Sequence, residues 1–404
     1  MKSKRRFMLL GIAVLMLGLL LIPVGGCAPA PTTSPTAPGV WEWPPTFSIA
    51  TAYVGSSSYI STAAWAPLLE EASGMSVRVV PEDSEPIKAR WCKTETVDLW
   101  SDGIYPYRDV VEGRSGHVTR DGGPFPLAMA WQNNVTWMSC FVRADSDIKT
   151  IYDIKPGTRI ADWTALTAWM EHFDMVFELA EIDKEDLVLC PFGSYQAAVM
   201  SVPEGKADVT WVIPSAGVAY EAAASPHGIR FLDLTPRDEE AMRRVMALNP
   251  IAKFTPVKYG VKESLDVGSV YQPFVYYIRS DTDPELVYRY AKWMDENYDA
   301  YKGKFEGCET LSIEDLRDFL DVVCFIPIHD GTVKYLKEKG MWTADDTTMR
   351  DWSIELQDRY IEAYEAAIAT ADEKGIKVRP DNEEWVELWE SYKTNIPLVG
   401  TTTK

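Results

Sequence analysis

From Phe47 onward the sequence alternates short β-branched apolar runs with stretches of helical periodicity. This alternation constrains the fold more than any other feature. Phe47–Tyr53 reads as a strand, Gly55-Ser56-Ser57-Ser58 as a turn, and Tyr59–Ala72 as a helix that Gly74 ends. Ser76–Val80 is the next strand, which completes one βαβ unit. A second series begins with strand Thr136–Val142, a short helical segment Ile148–Ile154 and strand Arg159–Trp163. Leu166, Trp169, Met170, Phe173, Val176 and Phe177 then recur at helical spacing. Strands at Leu187–Phe192, Ala207–Ile213 and Ile229–Leu234 alternate with helices at Ser194–Val202 and from Pro214 to Ala224. Val270–Ile278 is a strongly apolar strand, and Asp283-Pro284 opens a helix through Tyr298. The chain ends in helical patterns at Ala344–Asp372 and Asn382–Tyr392. With 404 residues, an α/β chain of this kind needs two domains or more.

Three of the strand-to-helix turns carry small hydroxyl residues: Tyr53 to Tyr59, Asp162 to Thr167, and Pro214 to Gly217. Each puts backbone N–H groups and a helix dipole at the carboxyl end of a strand, an arrangement that suits a carboxylate. Ser and Thr are also ordinary N-caps, so each turn alone is a weak signal. The ligand-binding candidates are Tyr53, Ser57, Ser58 and Tyr59 on one side, and Trp163, Thr164, Thr167 and Ser215 on the other. Arg143 and Arg159 rank lower, because each sits in a strand-edge segment.

The N-terminus predicts export. Lys2, Lys4, Arg5 and Arg6 precede an apolar run from Phe7 to Val24, and Val24-Gly25-Gly26-Cys27 follows. The small residues before Cys27 resemble a bacterial lipobox, which makes Cys27 the lipid-modified first residue of the mature chain. A single membrane anchor is the rival reading, since the run is near the lower length limit for spanning. Residues 27–45, rich in Pro, Thr, Ser and Ala, read as an extended tether. Losing residues 1–26 takes the formal charge from -20 to -24. So acidic a body excludes nucleic acid as a partner and needs something other than charge to hold it at an anionic membrane. The chain is thus placed outside the cytoplasm, in the periplasm or on the outer cell surface, attached through lipid. Of the other cysteines, Cys308 and Cys324 alone are close enough in sequence to name as a pair, among Cys92, Cys140, Cys190, Cys308 and Cys324.

Familiar catalytic signals are missing: no P-loop, no G-x-S-x-G elbow and no H-E-x-x-H occurs. Glu171-His172-Phe173-Asp174 offers metal-ligand types, but neighbours on a helix face different ways. No cofactor, no metal and no enzymatic activity are expected. Acidic pairs such as Asp345-Asp346 and Glu383-Glu384 read as helix-start residues that complement the macrodipole. The 15 Trp are read chiefly as core.

Over roughly Phe47 to Trp342 the chain resembles the TAXI-type solute-binding proteins of TRAP transporters. The most specific segment is Phe325-Ile326-Pro327-Ile328-His329-Asp330-Gly331-Thr332, followed by Tyr335 and Lys337-Glu338-Lys339-Gly340. Val142-Arg143-Ala144-Asp145-Ser146 with Ile148 to Gly157, and Gly205-Lys206-Ala207-Asp208-Val209, support it. The resemblance implies an α/β periplasmic-binding-protein-like fold of type II, two lobes with a central ligand cleft. It also implies a small organic acid as ligand and TRAP membrane subunits as partners. Lobe 1 is placed at 46–141 with 273–343, lobe 2 at 142–272, and a C-terminal helical extension at 344–404. Strands Thr136–Val142 and Val270–Ile278 are the expected crossing between lobes. Two turns depart from the family pattern: Tyr53-Val54-Gly55-Ser56-Ser57-Ser58-Tyr59 has fewer glycines, and Ala161-Asp162-Trp163-Thr164-Ala165-Leu166-Thr167 keeps only the final Thr. Glycines permit close backbone approach to a ligand. With Trp163 in that turn, the expected solute is a carboxylate with an apolar or aromatic body rather than a small dicarboxylate. His329 reads as a buried, hydrogen-bonded residue of the fold rather than a ligand contact. A receptor for an ABC importer, a surface enzyme on the same fold and a non-transport lipoprotein are the alternatives.

Overall fold

The structure is a computed structural model and describes residues 41–163 and 167–401. The predicted leader, Cys27, the tether up to residue 40 and Thr164 lie outside the described residues. In chain order the first half comprises β1 (Thr46–Thr51), α1 (Ser57–Ser73), β2 (Ser76–Pro81), α2 (Glu85–Lys93), β3 (Leu99–Gly103), α3 (Tyr105–Val111), β4 (Leu127–Arg143), β5 (Arg159–Trp163) and α4 (Thr167–Ala180). Then come β6 (Val188–Phe192), α5 (Tyr195–Met200), β7 (Thr210–Val212), α6 (Gly217–Ala223), β8 (Ile229–Leu232), α7 (Glu239–Leu248), β9 (Phe254–Pro256) and β10 (Gly268–Arg279). Helices close the chain: α8 (Pro284–Glu296), α9 (Tyr298–Tyr301), α10 (Ile313–Leu320), α11 (Asp330–Glu338), α12 (Ala344–Lys374) and α13 (Glu383–Lys393).

Two sheets share one strand. In the first, β1 lies parallel between β2 and β3, then β10 runs antiparallel to β3, and β4 antiparallel to β10. In the second, β5 pairs in parallel with β6 and reaches the β7 segment through a parallel bridge at Ile160 and Val209. The far end of β4 lies antiparallel to β7, and Cys140 faces Trp211 of β7 on one edge and Leu232 of β8 on the other. The strand orders are therefore β2-β1-β3-β10-β4 and β6-β5-β7-β4-β8. Each has three parallel strands followed by a reversed one. This is the α/β, periplasmic-binding-protein type II arrangement expected from the sequence. The β4–β10 ladder pairs Leu127 with Arg279 at one end and Met138 with Val270 at the other. Its register shifts between Pro273 and Val275, where proline cannot donate to the ladder.

Most predicted elements appear with ends shifted by one to a few residues. Strand β4 is the large departure: it begins at Leu127 rather than Thr136. Gln132-Asn133-Asn134 interrupts the apolar run, so its first half does not read as a strand. In the fold these polar side chains are buried, with Gln132 Nε2 donating to Ser312 O and Asn133 Nδ2 donating to Ser101 Oγ at 2.7 Å. The expected helix at 148–154 shrinks to a single turn at Ile151–Asp153. Elements α2, β3 and α3 fall in a stretch the periodicity left unread.

Tryptophan fills much of the core, and several of the indole N–H groups find acceptors. Trp65 Nε1 donates to Tyr276 Oη, Trp131 to Leu311 O, and Trp389 to Gly113 O. Helix α12 starts with a capping box in which Thr343 Oγ1 accepts from Asp346 N and Asp346 accepts from Thr343 N, the helix-start role assigned to this acidic pair. It docks on β4 through Gln357, whose amide accepts from Leu127 N and donates to Leu127 O, both at 3.0 Å. The side chain thereby satisfies backbone groups of the shared strand, as a neighbouring strand would.

The segment that carries the family resemblance is structural. Met129 N donates to Pro327 O and His329 N donates to Met129 O, which clips the segment to β4. His329 then caps α11 by accepting from Gly331 N at its Nδ1, and Thr332 Oγ1 donates to Ala130 O. At Gly331 a Cβ would lie 2.4 Å from backbone atoms of Pro284 and Tyr288 on α8. The backbone of α8 cannot give way as a flexible side chain can. Gly331→Ala should therefore cost about 1–3 kcal/mol in urea denaturation; a cost within error of zero would show that α11 and α8 are not in close contact.

His329 and His117 are 1% and 3% exposed, and burial lowers both imidazoles from 6.5 to about 4. In the unfolded chain they protonate near 6.5, so between pH 6.5 and 4 the unfolded state binds more protons. Stability should therefore fall as pH drops through that window, by at most about 3 kcal/mol per histidine. Thermal melts from pH 7 to 4 check this; His117→Phe should flatten the profile, and an unchanged slope would count against it.

Candidate functional site

Loops at the carboxyl ends of strands from both sheets converge on one cavity, where open α/β sheets bind ligands. Ala52, Tyr53, Ser56 and Ser58 come from the β1–α1 turn, Asp83 from the β2–α2 loop, Lys88 from α2 and Asp102 from β3. Phe274 of β10 adds to this side. From the second sheet come Tyr195 after β6 and Ile213 and Ala216 after β7. The cavity measures about 30 Å³, room for about two water molecules. An organic solute enters only if the two sets of loops part.

Turn β1–α1 is built by its serines. Ser56, in extended conformation, caps α1 by accepting from Tyr59 N at 3.1 Å, and its hydroxyl shares a hydrogen bond with Ser58 Oγ. This 17-residue helix starts in the turn that follows β1, so its first-turn amides, which have no intrahelical acceptor, lie at that strand's carboxyl end.

Charge at the site is unevenly matched. Lys88 Nζ sits 2.6 Å from Asp102 Oδ2, and both side chains are 2% exposed. Asp102 also accepts from Trp100 Nε1 at 3.1 Å and Gly103 N at 2.9 Å, so this pair is internally satisfied. Asp83 is the remaining ionisable carboxylate of the lining. Burial raises its pKa, Lys88 only partly offsetting this. Burial together with Tyr195 and Asp83 raises the Tyr53 hydroxyl.

Of the predicted residues, Tyr53 and Ser58 line the cavity. Ser57 is fully buried just behind, its Oγ without a hydrogen-bond partner among the described residues, and Tyr59 is half-buried outside the lining. Trp163 does not line it. The ring is 1% exposed and meets Tyr195 edge-on at 4.9 Å, and Tyr195 in turn lies 5.1 Å from Tyr53. Trp163 closes β5, where alternation turns its side chain inward, so it backs the wall that Tyr195 presents. Thr167 opens α4, and Thr164 lies outside the described residues. Ser215 falls elsewhere, on a neighbouring open groove of about 430 Å³ with Ile60, Tyr220, Lys304 and Glu306. Arg143 pairs with Asp145 and Arg159 with Asp208, so neither brings charge to the cavity. His172 is a core residue, edge-on to Tyr105 at 4.5 Å. Among the described residues no three His, Cys, Asp or Glu are placed to hold a metal. Cys92, Cys140, Cys190, Cys308 and Cys324 are thiols, not disulfides.

Asp83, Lys88, Asp102 and Tyr195 escaped the sequence reading. Ser84-Glu85-Pro86 is a helix start, and the logic applied to the other turns would have flagged Asp83 just ahead of it. The pairing of Lys88 with Asp102 is tertiary and has no local signal. Removing Lys88 leaves a buried carboxylate uncompensated. Lys88→Met should therefore destabilise the fold by about 3–5 kcal/mol, with much of that restored in Lys88→Met/Asp102→Asn; chemical denaturation of both variants reads it, and equal stabilities of parent and single variant would refute it.

Among solved structures, the periplasmic aliphatic sulphonate-binding protein of Escherichia coli is 14% identical, with 78% of this chain and 87% of that chain covered and a TM-score of 0.38. A putative binding component of an ABC transporter from Wolinella succinogenes, complexed with lysine, is 13% identical over 67% of this chain and 96% of that chain, with a TM-score of 0.42. An ancestral arginine-binding protein bound to arginine is 14% identical over 65% and 99%, with a TM-score of 0.40. No curated protein matches the sequence. Residues 116–340, from just before β4 through α11, match the NMT1-like family, and the chain belongs to that family.

Proposed function

We propose that the protein is a lipid-anchored, extracytoplasmic receptor that captures a small organic acid between its two lobes and delivers it to a TRAP-type permease. The observation that carries this reading is the cavity itself. Its walls come from strand ends of two sheets that share β4, so a solute can touch both walls only when they are together. The lobes are 46–141 with 273–343, and 142–272, joined through β4 and β10. The irregular register at Pro273 supplies a place for these strands to flex. The amides and hydroxyls at the start of α1 suit a carboxylate, and Tyr53, Tyr195 and Phe274 suit an apolar or aromatic body. The lipid on Cys27 and the tether would keep the receptor beside its permease.

Two measurements on the full chain test the reading. Ligand released on denaturation of the purified protein, returned to it, should raise the melting temperature and shrink the radius of gyration in small-angle scattering. Stabilisation with no compaction would remove the two-lobe closure. In a bacterial host, Cys27→Ala should free the body from membranes or leave an uncleaved precursor; fractionation like the parent's would remove the lipid anchor.

A further inference from the structure

Charges at the cavity do not balance. The lining holds two carboxylates, Asp83 and Asp102, and one cation, Lys88. Lys88 is committed to Asp102 at 2.6 Å, and both are withdrawn from solvent. Asp102 has in addition two N–H donors, so the pair asks nothing of a ligand. Asp83 forms no ion pair of its own among the described residues: it accepts from the Tyr53 backbone and feels Lys88 only in part, since that cation is bound to Asp102. Its neighbour in sequence, Glu82, is also acidic and lies on the same loop. The three rings Tyr53, Tyr195 and Phe274 line the same space, and ring faces attract cations. Arg143 and Arg159 are each bound to an aspartate elsewhere, Asp145 and Asp208.

The whole chain carries formal charge -20. A field of that sign concentrates cations around the body and repels anions. An acid without a positive group would meet both the field and Asp83 unfavourably. A solute with a protonated nitrogen would be helped by both.

We infer that the solute carries a protonated amine, which binds at the Asp83 carboxylate within the wall of Tyr53, Tyr195 and Phe274. The inference rests on the receptor reading and deepens it. The carboxylate end assigned to the start of α1 and the amine at Asp83 are compatible in one molecule, and the amine is the group that selects. The half-buried state of Asp83 fits this role: burial raises its pKa, and a bound cation would reverse that shift.

Calorimetry with 2-phenylethylamine, 3-phenylpropanoate and phenylalanine tests it on the parent, Asp83→Asn and Asp83→Glu, each checked for folding by circular dichroism. The two amine-bearing probes should bind the parent at least tenfold more tightly than 3-phenylpropanoate. Asp83→Asn should abolish that preference, and Asp83→Glu should keep part of it. A parent that prefers 3-phenylpropanoate, or a preference untouched in Asp83→Asn, would overturn the inference and leave the receptor reading standing. Should all three probes fail, mass spectrometry of the solute released from denatured parent decides: a basic nitrogen supports the inference, and a nitrogen-free acid overturns it. With no probe bound and no solute released, the receptor reading falls and the inference with it.

Discussion

The ladder between β4 and β10 holds the architecture together. These are the longest strands, and β4 completes the first sheet before serving as the reversed strand of the second. Each sheet therefore inherits its orientation from the same backbone. The loops that form the cavity leave the carboxyl ends of the parallel strands, and β4 and β10 bring those ends face to face. The polar middle of the ladder has a cost. Asn133, Asn134, Thr136 and Gln272 are all fully buried, and several of their polar atoms lack partners among the described residues. Such a region is a natural place for a fold to yield, because an apolar interior would resist wetting and these groups gain hydrogen bonds from it. Gln272 is packed so closely on Gly103 that a Cβ there would lie 1.7 Å from its Nε2, which ties β10 to the strand that carries Asp102.

Packing and the cavity use different parts of the molecule. The segment Phe325 to Thr332 is the sequence's most distinctive piece, yet its hydrogen bonds dock α11 on β4 and cap that helix. The C-terminal helices do related work on the first sheet. Gln357 meets the edge of β4, Tyr364 Oη donates to Thr119 O, and the indoles of Trp385 and Trp389 donate to carbonyls between Glu112 and Val118. None of these residues reaches the cavity. The cavity draws instead on turns and helix starts at strand ends, a serine turn, Asp83 and Tyr195, together with Lys88, Asp102 and Phe274 from α2, β3 and β10. A loop residue can change without disturbing the core.

What the sequence determined by itself is the α/β class, the paired βαβ series and most helix ends. These follow from local physics: periodicity of two or 3.6, serine and threonine caps, and glycines in left-handed conformation such as Gly74. His329 was legible as a buried, hydrogen-bonded residue only because it lies in the segment that carries the family resemblance; that it caps α11 is a result of the structure. The tertiary structure decided the rest. It extended β4 back through Gln132-Asn133-Asn134, polar residues that become strand only because Ser312 and Ser101 wait to pair with them. Trp163 went behind Tyr195, Ser215 onto a separate groove, and Lys88 against Asp102. Each outcome depends on which residue, far along the chain, lies across the gap. Local propensity carries no information about that partner, and it is the commitment of Lys88 to Asp102 that leaves Asp83 only partly compensated.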